Sequence, residues 1–337
     1  MTDQVQKLAP VILAEIKKAN NILLHCHPNP DADSIGGALA SMHMLEAMGK
    51  KVTVIRGDSE LSNHYALLPG FEKIVPKNLF EIDLTQFDLF LIQDSGGLDR
   101  ISRVAPVVFP KTLRTVNIDH HITNTKFAEI NLVDNAYPAT CQILYDLFTL
   151  WDVMITQDMA KCLMLGIYTD TGSFKFPATT SATLGAAEHL ASIAPDYMKV
   201  IFHMDNNNMP GVIAYEGLAF SLVTTYCNNH LAVSAVPYSA LQSQNIQRAD
   251  LFPDIANFLK SVVGWEIGVK MVEDQPGNVK ISLRTRDENK YDVSKIAALV
   301  GGGGHKAAAA AYVKGTLEEV VKKVVDAVNS IYPELSK

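Results

Sequence analysis

The sequence predicts an α/β chain: an N-terminal, mostly parallel five-stranded sheet flanked by helices, then a smaller C-terminal α+β domain with a mixed sheet. Three observations carry this. The chain has 337 residues, more than one typical core accommodates. In the first half, apolar runs alternate with helical patterns, as in parallel strands joined by crossover helices. From about Phe220 the pattern changes to pairs of β-rich runs around polar turns.

Leu8, Val11, Ile12 and Ile16 recur at helical spacing among Lys7, Glu15, Lys17 and Lys18, which predicts an amphipathic surface helix rather than a signal peptide. Four of the sheet strands can be placed, at 22–24, 52–55, 87–92 and 113–118. Helical patterns follow at 34–48, 139–151, 157–168 and 182–193. The stretch 195–211 reads as a connector, so the first domain is set at 1–190, a linker at 191–216 and the second domain at 217–337. Runs 221–226 and 231–236 flank Asn228-Asn229 and predict a hairpin; runs 265–272 and 279–283 around Gln275-Pro276-Gly277-Asn278 predict another. Helical patterns at 254–263, 293–300 and 317–328 complete the second domain.

Composition narrows the function classes. With 48% hydrophobic and 19% charged residues the chain is globular. No apolar run approaches the roughly 18 residues of a membrane span. Cys26, Cys141, Cys162 and Cys227 are scattered without a CxxC pair, as expected of reduced thiols in the cytoplasm. A net charge of −7 argues against a grip on long duplex nucleic acid, which calls for a basic field. A phosphorylated substrate is then small, or held by local cations and metals.

In an open α/β sheet, ligands sit outside the carboxyl ends of the strands. There the sequence places acids and histidines: His27, Asp31 and Asp33 in HCHPNPDAD, Asp94 in QDSG, and Asp119, His120 and His121 in DHH. The helical pattern at 157–168 runs into Asp170 in TDTGSF. Each fragment alone also fits a helix cap or a turn. Their recurrence at one common edge favours a site. Four carboxylates and two imidazoles together repel one another unless cations compensate them. Mixed His/Asp ligation with carboxylates in excess suits two divalent ions, Mn²⁺ first, with Mg²⁺ or Co²⁺ as alternatives. Two such ions serve phosphate-ester hydrolysis, one carboxylate bridging them and a bridging hydroxide attacking phosphorus. The helix starting near Ser34 adds backbone N–H groups and its positive dipole end.

HPNPDAD, QDSG, DHH and YTDTGSF, in this order, resemble the four motifs of the DHH phosphoesterases. KISLRT and GGGGHKAAAA resemble the DHH-associated, GGGH-motif domain that often follows, and the whole is most similar to the nanoRNase and pAp phosphatase group. The resemblance implies that His27, Asp31 and Asp94 bind one metal. It implies that Asp33, Asp94, His120 and Asp170 bind the other, with Asp94 bridging. It gives His121 to the substrate phosphate and Asp119 to orienting the histidines. Arg284, His305 and the glycines Gly302, Gly303 and Gly304 it gives to substrate binding. Arg100, Arg103 and Lys314 read as surface charges. Two departures stand out: Gly37 where the family commonly has serine, and an all-alanine run at 307–311, which leaves base recognition there open.

The function this implies is a metal-dependent phosphoesterase acting on short nucleotides: oligoribonucleotides such as pApA, or pAp at its 3′-phosphate. The family also implies a possible homodimer. Alternatives are a stand-alone cyclic-di-AMP phosphodiesterase and a family II-like pyrophosphatase, although the basic serine–arginine–lysine motif of the latter is missing. A nucleotide sensor without catalysis would not need Asp94 as a bridge.

Overall fold

Five short apolar segments build the first sheet: β1 (Asn21–His25), β2 (Lys51–Ile55), β3 (Leu89–Gln93), β4 (Arg114–Asp119) and β5 (Ile130–Val133). This computed structural model describes residues 1–336 and divides into two units, 1–207 and from Asn208 onward. In the first unit the strands run in the order β2-β1-β3-β4-β5, every pair parallel. The fifth strand escaped the sequence because INLV is short, sits at the sheet edge and buries only Leu132.

Six helices accompany this sheet: α1 (Asp3–Lys18), α2 (Ala32–Ala47), α3 (Thr140–Leu150), α4 (Gln157–Asp170), α5 (Ser181–Ile193) and α6 (Met198–Asn206). The amphipathic α1 buries Val5, Ala9, Ile12 and Ile16, while Val11 is exposed. α2 is buried along nearly its whole length, so its low amphipathicity is that of a core helix. It packs closely on α4: a Cβ on Gly36 would lie 2.4 Å from the carbonyl oxygen of Cys162. The chain leaves β1 for β2 on one side, then returns to β3 on the other. That reversal opens a crevice at the carboxyl ends of β1 and β3.

The second unit holds α7 (Pro210–Ser221), β6 (Val223–Tyr226), β7 (Leu231–Val236), α8 (Tyr238–Ser243) and α9 (Ile255–Leu259). Then come β8 (Ile267–Gln275), β9 (Asn278–Thr285), α10 (Val293–Leu299), β10 (Gly303–Gly304), β11 (Ala308–Lys314) and α11 (Leu317–Ile331). The strand order is β10-β11-β9-β8-β7-β6, antiparallel except between β7 and β8. Both expected hairpins are present. One sheet face buries Val279, Ile281 and Leu283 with Ile296, Val320 and Val324; the other packs Val272 with Tyr215, Ile255 and Leu259.

Two sequence expectations changed, and one stretch left without an element gained one. The connector stretch is largely helical, with α6 in it and α7 beginning in it, because Val200, Ile201 and Val212 each find a buried position. The helix expected over 254–263 ends at Leu259, giving way to turns that reach Gly264 in the left-handed region (φ +88°). The alanine run is strand β11, against alanine's helical preference. It buries Ala309, Ala311 and Val313 at a period of two, so pairing with β9 overrides propensity.

Candidate active site

The site assembles where three parallel strands end. His27 follows β1, Asp94 follows β3, and Asp119 closes β4 with His120 and His121 behind it. Asp170 is the last residue of α4. Asp31 caps α2: its Oδ1 accepts from the Ser34 N–H at 3.0 Å, while its Oδ2 lies 3.6 Å from His27 Nε2. With Asp31 as the cap of α2, the Asp33 side chain is left for the crevice. Asp33 accepts the backbone N–H groups of Thr140 (2.6 Å) and Cys141 (2.8 Å) at the N-terminus of α3.

Among the described residues the ligand atoms form three overlapping groups: His27, Asp31 and Asp94; Asp33, His120 and Asp170; and Asp94, His120 and His121. All six side chains expected to bind metal fall within them. Asp94 is shared: its Oδ2 lies 3.2 Å from His27 Nε2, and its Oδ1 lies 3.6 Å from His120 Nε2. Its backbone is in the left-handed region (φ +51°), which Asp tolerates better than most residues and which aims the carboxylate between the two histidines.

The imidazoles are oriented from behind. His27 Nδ1 lies 3.1 Å from the Pro28 carbonyl, and His120 Nδ1 lies 3.3 Å from the Tyr137 carbonyl, so each Nδ1–H points outward and each Nε2 lone pair points into the cluster. His120 Nε2 is buried with no hydrogen-bond partner. A buried lone pair facing three carboxylates is an acceptor waiting for a cation. His121 is held differently. Its Nδ1 lies 2.7 Å from Asp119 Oδ1, and Asn124 donates to Asp119 Oδ2 at 2.6 Å.

The charges give the same answer. Burial, then the neighbouring Asp94, pushes Asp33 up to about 8. Burial, then Asp33, pushes Asp170 well above the usual carboxylate range. Burial alone would lower His27, yet Asp31 and Asp94 lift it to about 10. Asp31 and Asp94 are instead held low against their burial by His27, so one histidine driven toward charge serves two carboxylates while the other two are driven toward protonation, as in a site short of positive charge. The donor set fits two divalent ions sharing Asp94.

Sequence reading missed three contributors. Arg100, read as a surface charge, places Nη2 3.1 Å from His27 Nε2 and is half-buried. It lies six residues past Asp94, beyond the QDSG motif, and only the 3-10 turn Leu98–Arg100 brings it back. Asn124 was legible in principle, being the last residue of the DHHITN stretch. Thr140, whose Oγ1 donates to Asp94 Oδ1 at 3.3 Å, had no local signal.

In the second unit, Arg284 lies on β9 and pairs in register with Ala308 of β11. His305 is exposed at the turn between β10 and β11; its N–H donates to the Ala308 carbonyl at 2.8 Å. The glycines divide. A Cβ on Gly302 would lie 2.2 Å from the Ala310 oxygen, and one on Gly304 2.6 Å from the Ala308 oxygen, so packing on β11 already requires both. Gly303 has nothing within 4 Å of a Cβ position and is the one of the three open to a ligand.

A model of the DHH family N-terminal domain matches residues 21–167, and a model of the DHHA1 domain matches residues 228–333. The chain belongs to the DHH family. It is a hydrolytic phosphoesterase of that family. A relative from Thermus thermophilus, a bifunctional oligoribonuclease and PAP phosphatase NrnA, is 28% identical over 94% of this chain and 92% of its own length. The protein of the same description from Bacillus subtilis is 23% identical over 89% of this chain and 91% of its own. The fold of this DHH phosphoesterase also matches an exopolyphosphatase-related protein from Bacteroides fragilis, with a TM-score of 0.90, 23% identity and 98% of both chains covered.

Proposed function

We propose that this phosphoesterase hydrolyses short nucleotides, acting on oligoribonucleotides of a few residues and on pAp at its 3′-phosphate. The observation that carries the metal-dependent half of this reading is Asp94, whose two oxygens serve two different histidine clusters. The nucleotide half rests on relatives described as oligoribonuclease and PAP phosphatase along nearly the whole chain. The four cysteines are free thiols, which supports a reducing, cytoplasmic setting; no helix among the described residues is long and apolar enough to cross a membrane.

His27, Asp31 and Asp94 would hold one divalent ion and Asp33, Asp94, His120 and Asp170 the other, with Mn²⁺ preferred for this donor set. When bound, such a pair activates water and offsets charge on the phosphoryl oxygens. The chain's own groups do the rest. His121 holds Nδ1 against Asp119 and would donate from Nε2 to a phosphoryl oxygen. The Asp119 bond, working against burial, lifts it to about 9, so it carries its proton at neutral pH. Arg100 adds a guanidinium that no metal can use and a phosphate can. Within the second unit, Arg284 and His305 are the candidate nucleotide contacts.

A Mn²⁺-dependent hydrolysis panel tests this reading, with pAp, pApA, a 5-mer RNA, cyclic-di-AMP and pyrophosphate as substrates. Turnover of pAp and pApA is expected. Strong pyrophosphate turnover without nucleotide hydrolysis would overturn it.

A further inference from the structure

Arg284 does not stand alone on its strand. Its Nε donates to Asp254 Oδ2 at 3.0 Å, its Nη2 lies 2.9 Å from the same oxygen, and its Nη1 donates to the carbonyl of the preceding Leu283 at 2.9 Å. Asp254 is itself fixed: it caps α9, its Oδ1 accepting from the Asn257 N–H at 3.2 Å. One carboxylate thus ties a helix start to a guanidinium on a neighbouring strand, 30 residues away in sequence.

The loop that carries Asp254 is pinned from below. Lys270 of β8 is buried, and its Nζ donates to the carbonyls of Leu251 and Pro253 at 2.7 and 2.8 Å. Gly268, opposite Arg284 in the β8–β9 register, lets α9 sit directly on the sheet, since a Cβ there would lie 2.3 Å from the Ala256 oxygen. The position of Asp254 is therefore set by two contacts that do not involve Arg284.

An ion pair at a half-exposed surface contributes little to stability by itself. This one is short, forked and built on buried supports, and it does not cancel the local charge. Burial and then Arg284 lower Lys260; burial lowers Lys270 against the pull of Asp254, with Lys280 and Arg284 adding to the lowering. Arg284, Lys260 and Lys270 against Asp254 and Glu288 leave the patch net positive, and the Arg284 side chain keeps 26% of its surface open.

We infer that Asp254 is a positioning residue: held by the α9 cap and by Lys270 beneath its loop, it aligns the Arg284 guanidinium for the phosphate of a short nucleotide. This rests on the reading of Arg284 as a nucleotide contact. The same fork orders the guanidinium before binding, which lowers the entropy lost when phosphate docks.

The test is a double-mutant cycle on the full chain, with Mn²⁺ and pAp, reading KM, kcat, bound metal and thermal unfolding. Asp254→Asn keeps the helix cap, because Asn caps as well as Asp, and removes the charged fork. Arg284→Ala is expected to raise KM by about 10- to 100-fold, the range for a lost charge-assisted contact. Asp254→Asn should raise KM by about 5- to 10-fold with kcat, metal content and melting temperature close to the parent. In the Arg284→Ala background it should then change KM by less than about 2-fold. An unchanged KM in Asp254→Asn, or the same rise in both backgrounds, overturns the inference while leaving Arg284 as a contact. An unchanged KM in Arg284→Ala overturns both.

Discussion

The two units arrange their candidate functional residues in different ways. In the first, the side chains converge on one spot, because parallel strands end together and each delivers a residue to the same edge. In the second they are dispersed: Arg284 lies along a strand and His305 at a turn, while Asp254 caps a helix. A convergent site shares its members, as Asp94 is shared. A dispersed one adds contacts one by one. Removing a residue should therefore be all-or-none in the first unit and graded in the second.

The largest effect tests the sharing itself. Asp94→Ala should cut turnover by on the order of 10³-fold or more. It should also weaken both bound Mn²⁺ ions in a calorimetric titration, not one. Loss of a single ion would split the clusters and break the contrast between the units.

His121→Asn comes next. A fall of about 10²-fold in kcat is expected, with metal stoichiometry unchanged, since Nδ1 of His121 is engaged by Asp119 rather than offered as a ligand. Metal loss in this variant would move His121 into the ligand set.

Arg100→Gln sharpens the comparison from the other side. Arg100 belongs to the first unit by position yet should behave as a graded contact. The expected outcome is a rise of about 10-fold in KM for pAp, with Mn²⁺ affinity retained. An effect on kcat alone would place the guanidinium on the transition state only.

The smallest effects separate packing from binding. Gly36→Ala forces a methyl against the Cys162 oxygen and should destabilise the fold by about 1–3 kcal/mol, read as a lowered melting temperature. Gly303→Ala meets open space and should leave stability within about 0.5 kcal/mol, any change appearing in nucleotide KM. A large stability loss in Gly303→Ala would make it another packing glycine like Gly302 and Gly304.

Strand ends were legible because a buried parallel strand is a run of apolar residues, and its end shows when acids and histidines interrupt it. That is why His27, Asp94 and the triplet from Asp119 to His121 could be located before any coordinates. β5 and β11 were not legible. Four residues with a single buried side chain carry too little pattern, and alanine carries the wrong propensity. Arg100 and Asp254 were equally invisible: each lies in a short turn or cap whose composition resembles any surface segment.

What the sequence determined by itself was the chemistry available at the sheet edge: which ionisable side chains, in which order, at the ends of which strands. Local periodicity is enough for that, since strand and helix patterns are short-range properties of the chain. What only the tertiary structure decided was the pairing of those groups. Asp94 divides its oxygens between His27 and His120, Asp31 gives one oxygen to a helix, and Asp254 reaches Arg284, because contacts between distant segments depend on how elements pack and not on their spacing along the chain.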